Sequence, residues 1–139
     1  MNIYLDIDGV LLANENNLAI GAEEFIEFVV KNYPTYWLTT HCMDGDPSLA
    51  VENVGRLCKP KTVEFLKRIK PTKWKVAKTE AIDFSEPFLW FDDDLYDEEE
   101  QELIKNNALA SWVEVDLARD PRQLLKFIVS FPLPVNHQS

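Results

Sequence analysis

Residues 87–91, PFLWF, are continuously apolar and run straight into Asp92, Asp93 and Asp94. A strand with one wet face would alternate polar and apolar residues, so an unbroken run marks a strand covered on both sides, as in a parallel sheet. Parallel neighbours cannot be joined by a tight turn, so helices must alternate with strands along the chain.

The remaining segments fit that demand. In 2–7, apolar Ile3, Leu5 and Ile7 alternate with Tyr4 and Asp6 before Gly9 breaks the strand. Residues 10–20 form a short connection, long enough for a hairpin or flap. Residues 21–32 read as a helix with Ala22, Phe25, Ile26, Val29 and Val30 on one face. TYWLT at 35–39 is the next strand, with Thr39 and Thr40 at its end. Segment 43–58 opens with turn residues and can continue as a helix from Ser48. Residues 61–69 form a helix carrying Val63, Leu66 and Ile69, with Pro60 on its N-terminal side. Residues 97–106 are a helix with acids in its first turn, and 111–115 (SWVEV) the last strand. Asp120 and Pro121 are expected as N-cap and first residue of a final helix carrying Leu124, Leu125, Ile128 and Val129. The expected fold is α/β: a three-layer, Rossmann-like parallel sheet with helices on both faces, one domain over 1–131 and a loose tail at 132–139.

A net charge of −10 disfavours indiscriminate binding to nucleic acid or anionic membranes. The charge is uneven. Residues 59–78 hold eight bases against Glu64, whereas 92–102 hold eight acids and no base. Such runs are ordinarily solvated faces, although a basic approach to a site can recruit a polyanion such as a nucleic-acid end. Trp74 among the lysines is a candidate base-stacking residue; Trp37 and Trp90, in apolar strands, are core. Cys42 and Cys58 are too few for a disulfide scaffold and are expected as reduced thiols. With no basic-then-apolar leader and no run of 18 apolar residues, the expectation is a soluble cytoplasmic protein with no membrane partner.

In open parallel sheets, ligands bind at the carboxyl ends of the strands, where this reading puts Asp6, Asp8, Thr39 and Asp92. Alone, a DxD is often a turn whose aspartates cap amides. Paired carboxylates can also divide labour, one attacking phosphorus while the other protonates the leaving oxygen and then activates water. Such a site with a phosphate present concentrates negative charge, and Mg2+ suits oxygen ligands of this kind. Thr39 can donate to a phosphoryl oxygen, and a lysine can neutralise charge developed in transfer.

IYLDIDGVL, a strand ending in Thr (TYWLT), a lysine, and PFLWFDDD, in that order over residues 3 to about 94, resemble the haloacid dehalogenase-like (HAD) superfamily. The resemblance implies Asp6 as phosphoryl-accepting nucleophile and Asp8 as acid/base, with Asp6, the Asp8 carbonyl, Asp92 and Asp93 at the metal. It implies Thr39 as the strand-end threonine, with Thr40 beside it at the substrate. For the phosphate-binding lysine, Lys73, Lys75 and Lys78 compete. Lys78 is preferred because AKTEAIDF looks like a helix start whose dipole would face phosphate, with Lys75 next. Little room remains for a cap, and an uncapped member is open to large substrates.

His41-Cys42 begins like a cysteine phosphatase, but Ser48 stands where that site needs arginine, so both are expected at the site edge or in packing. Within the acidic run only Asp92 and Asp93 are credited with function, and its spacing is not that of an EF-hand. The expected activity is Mg2+-dependent phosphomonoester hydrolysis on a phosphorylated small molecule or macromolecule. Nucleic-acid end processing and a catalytically silent binding module are the alternatives.

Overall fold

A computed structural model describes residues 1–131; the expected loose tail at 132–139 lies outside the described residues. Four parallel strands form the main sheet: β1 (Asn2–Leu5), β4 (Thr35–Trp37), β5 (Phe88–Asp92) and β6 (Trp112–Glu114), in the spatial order β4-β1-β5-β6. A small antiparallel hairpin, β2 (Leu12–Asn14) and β3 (Asn17–Leu18), occupies the 10–20 connection. Helices α1 (Ala22–Asn32), α2 (Ser48–Gly55), α3 (Pro60–Leu66), α4 (Asp97–Lys105) and α5 (Gln123–Ser130) complete the α/β fold.

From Phe88 to Phe91 the apolar run is covered on both sides. Phe91 packs with Ile3, Leu5, Phe25, Leu66 and Leu124 in one core, whereas Phe88 and Trp90 pack with Tyr4, Leu38, Trp74, Ile82 and Leu103 in the other. Edge-to-face contacts of Phe25 with Phe91 (5.2 Å) and of Phe91 with Phe127 (4.7 Å) tie α1 and α5 to the sheet. Residues of α1, α2, α3 and α5 thus line the first core and Leu103 of α4 the second, so helices cover both faces of the sheet.

After β1 the chain moves to β4 on one side, then returns to β5 on the other side of β1. The junction of β1 and β5 is therefore the switch point at which connections diverge and a crevice opens beyond the strand ends. Asp6 follows β1 directly, and Asp92 is the last residue of β5.

Several boundaries differ from the sequence-based expectation. Strand β1 stops at Leu5 because the Ile7 carbonyl accepts three amides, from Val10, Leu11 and Leu12, and winds the chain into a tight turn. Strand β4 stops at Trp37, since Thr39 bridges to Cys42 instead of continuing along β1. Helix α3 ends at Leu66 and tightens: the Arg68 and Ile69 amides reach back three residues, and Lys70 then pairs at the sheet edge beside β4. Asp120 and Pro121 do not open the last helix. Asp120 accepts the Arg122 amide at 3.2 Å, as a cap would, and the Lys126 ammonium at 3.1 Å, but α5 begins only at Gln123. Among the described residues no helix is long and apolar enough to cross a membrane.

Candidate functional site

The Asp6 amide donates to the Phe91 carbonyl at 3.0 Å, so the residue is still anchored to the sheet when its side chain enters the crevice. Beyond it, Gly9 adopts φ +77, and its amide donates to the Leu12 carbonyl as the hairpin starts. The turn separates two aspartates only two residues apart. The Asp6 side chain is 10% exposed and that of Asp8 67%. Gly9 has a second constraint, since a Cβ there would lie 2.3 Å from Asp93 Oδ2. The chain thus needs glycine both for its dihedral and for the approach of Asp93.

Asp92 is buried at the end of β5 and accepts from four donors. Lys78 Nζ (2.7 Å) and Trp90 Nε1 (3.1 Å) reach Oδ2; the Asp93 (2.8 Å) and Asp94 (3.3 Å) amides reach Oδ1. Lys78 Nζ also lies 3.3 Å from Asp6 Oδ2, bridging the two strand ends. One oxygen each from Asp6, Asp92 and Asp93 falls within 4.8 Å of the others.

The electrostatics of this cluster are unbalanced. Burial and the neighbouring Asp6 push Asp92 up to about 8, and Lys78 offsets this only in part. Burial also raises Asp93. For Lys78, burial opposes the charge, but Asp6 and Asp92 together hold its pKa above the ordinary lysine value. Were all three carboxylates ionised together, they would exceed the Lys78 ammonium by two negative charges, the charge of one divalent cation. The donors are all carboxylate oxygens, a set that suits Mg2+ and gives no thiolate or imidazole preference for zinc.

Asp6, Asp8, Thr40, Lys78, Asp92 and Asp93 line one cleft of about 200 Å³, with Trp74, Val76 and Tyr96 at its walls. Of the three competing lysines only Lys78 reaches it. Lys73 and Lys75 line a separate hollow with Met43 and Trp74, and the Lys75 amide is turned toward Glu80 at 3.0 Å. Thr39 is fully buried, and its hydroxyl accepts the His41 amide at 3.3 Å; Thr40 is the threonine on the cleft wall. Lys78 does not start an α-helix. It opens a 3-10 turn, Lys78–Ala81, too short for a helix dipole to act on a phosphate.

Some contributors went uncredited in the sequence. Glu99, within the acidic run read as a solvated helix start, is buried and accepts the Lys78 amide at 3.0 Å and the Tyr96 amide at 3.2 Å, which fixes the backbone carrying the lysine. Trp90 is core, as expected, and also a donor to Asp92; the two-residue strand period already put both on one face. His41 sits at the site edge with Nε2 2.9 Å from Asp8 Oδ2. Trp74 is largely buried, its remaining surface facing the cleft and the neighbouring hollow. Nor does the basic segment form one stripe: Lys61 pairs with Glu27, Lys67 with Glu64, and Arg68 and Lys70 lie over Phe65 and Tyr36. Both cysteines are free.

Comparisons with family models, with curated proteins and with solved structures returned no match.

Proposed function

We propose that this chain is an Mg2+-dependent phosphomonoesterase of the haloacid dehalogenase-like type, built on a Rossmann-like sheet, with Asp6 as nucleophile and Asp8 as general acid/base. The observation that carries this reading is the convergence of Asp6, Asp92 and Asp93 at the switch point with the Lys78 ammonium between Asp6 and Asp92, while Asp8 opens into the same cleft.

Asp6, Asp92 and Asp93 are the residues that would hold the metal. Bound there, Mg2+ supplies positive charge that lets a phosphate dianion approach three carboxylates. The side chains divide the rest. The Asp6 carboxylate attacks phosphorus; the phosphorus–leaving-oxygen bond breaks, and Asp8 gives its proton to that oxygen. Asp8, now a carboxylate, takes a proton from water as the water oxygen attacks phosphorus. Inorganic phosphate leaves and Asp6 is restored. Lys78 matches charge on Asp6 and on the transferring group, and the Thr40 hydroxyl is a donor for a phosphoryl oxygen.

A nucleic-acid end is a weaker fit as substrate, since Lys61, Lys67, Arg68 and Lys70, half of the basic side chains in 59–78, are engaged away from the cleft. The test is phosphate release from a panel containing p-nitrophenyl phosphate, alkyl phosphates and 5′- and 3′-phosphorylated oligonucleotides, with and without Mg2+. Turnover that needs Mg2+ and vanishes in Asp6→Asn is expected. Full turnover in Asp6→Asn would sink the mechanism, and silence across the whole panel would favour a binding module.

A further inference from the structure

His41 and Asn53 take no part in the reaction above, yet both are linked to its acid/base. His41 Nε2 lies 2.9 Å from Asp8 Oδ2, and Asn53 Nδ2 lies 2.8 Å from His41 Nδ1. An amide nitrogen donates and cannot accept, so Nδ1 must be the bare, accepting nitrogen of the ring. A neutral imidazole with a bare Nδ1 carries its proton on Nε2, and here that proton faces the Asp8 carboxylate. The turn after β1, the loop after β4 and helix α2 thus contribute one group each to a chain of hydrogen bonds with a single direction. The His41 side chain is 18% exposed against 67% for Asp8, so the ring is the packed partner and the carboxylate the one that would otherwise swing.

We infer that His41 is the positioning residue of Asp8, held by Asn53 as the Nε2–H tautomer, and that it assigns different work to the two Asp8 oxygens. This rests on Asp8 being the general acid/base. Oδ2 is taken by His41, and among the described residues no protein group bonds Oδ1. Oδ1 is then the proton carrier. In the first step its O–H bond breaks as the leaving oxygen gains that proton; in the second, a water proton passes to Oδ1 as the water oxygen bonds to phosphorus. His41 keeps its own proton throughout, since Oδ2 can accept from Nε2 whether or not Oδ1 is protonated. The ring is not a relay. Its contribution is to hold an exposed carboxyl in one rotamer, so that this freedom is not lost at the moment of reaction.

The experiment joins ring NMR to kinetics on the full chain. The sequence has only two histidines, so long-range 1H–15N spectra of wild type and His41→Gln assign the His41 ring. Near neutral pH, Nδ1 is expected unprotonated and Nε2 protonated, and Asn53→Leu should turn this into a tautomer mixture. In the kinetic arm, His41→Phe should lower kcat on an alkyl phosphate about tenfold or more while KM stays within about twofold. The loss should be smaller on p-nitrophenyl phosphate, whose leaving group departs without a proton. His41→Gln, whose amide N–H can occupy the Nε2 position, should recover most of the loss, and it keeps the test open should the phenylalanine variant fold poorly.

A wild-type ring protonated on Nδ1 overturns the inference, as does an equal effect, or none, of His41→Phe on both esters in an enzyme that Asp8→Asn inactivates. A wild type with no turnover on either ester overturns the function and the positioning role together, a result distinct from failure of the positioning role alone.

Discussion

Gly9 sits where two demands meet, because its φ of +77 and its contact with Asp93 Oδ2 both exclude a side chain. Gly9→Ala should cost about 1–2 kcal/mol from the left-handed backbone alone. It should also displace Asp93 and weaken Mg2+ binding, measured by urea denaturation and by isothermal titration. Glu99 acts through backbone amides, and Glu99→Ala, which leaves the Lys78 and Tyr96 amides unpaired, should destabilise the fold by about 1–3 kcal/mol. By releasing Lys78 it should also lower turnover, which steady-state assays would read. Asp92 carries a pH dependence whose sign is set by burial. Its folded pKa of about 8 lies above the ordinary aspartate value, so between about 4 and 8 the folded state binds a proton that the unfolded chain does not. The stability from protonated Asp92 is complete below the unfolded pKa and is lost as pH rises through about 8. In EDTA the urea midpoint should therefore fall from pH 5 to pH 9, and Asp92→Asn should remove most of that slope.

Among the secondary-structure elements, α1 and α5 depend on an aromatic cluster more than on their own caps, neither having a side-chain cap hydrogen bond. Phe25 touches Phe91 of β5 and Phe127 of α5 from a fully buried position. Phe25→Ala should cost about 3–5 kcal/mol, checked by chemical denaturation. The elements were largely legible because each announces itself locally: period two in IYLDI, an unbroken run in PFLWF, a helical stripe in 21–32. Their ends were less so. Strands β1 and β4 stop where turn hydrogen bonds draw the chain away, and α5 starts at Gln123, three residues after Asp120. Those choices turn on competing partners, which composition and period do not rank.

For the whole molecule, the buried site and the solvent pull in opposite directions. Three carboxylates meet at the switch point of a chain with a net charge of −10, so the metal-free protein should be the less stable form. A ligand at a hundred times its Kd adds about 2.7 kcal/mol. Millimolar Mg2+ should thus raise Tm, whereas NaCl at matched ionic strength should not, and the gain should disappear in Asp92→Asn; differential scanning calorimetry would decide it.

The sequence by itself determined that Asp6, Asp8 and Asp92 would stand at the carboxyl ends of strands, because strand identity and direction follow from local pattern and parallel pairing. Thr39 also follows the end of a strand, buried, with Thr40 beside it on the cleft wall. Only the tertiary structure decided that Lys78, not Lys73 or Lys75, bridges Asp6 and Asp92, that Glu99 anchors that lysine, and that Asn53 and His41 reach Asp8. The physical reason is that each of those contacts joins segments whose approach is set by loop geometry and burial, and a loop's path has no period from which it can be read.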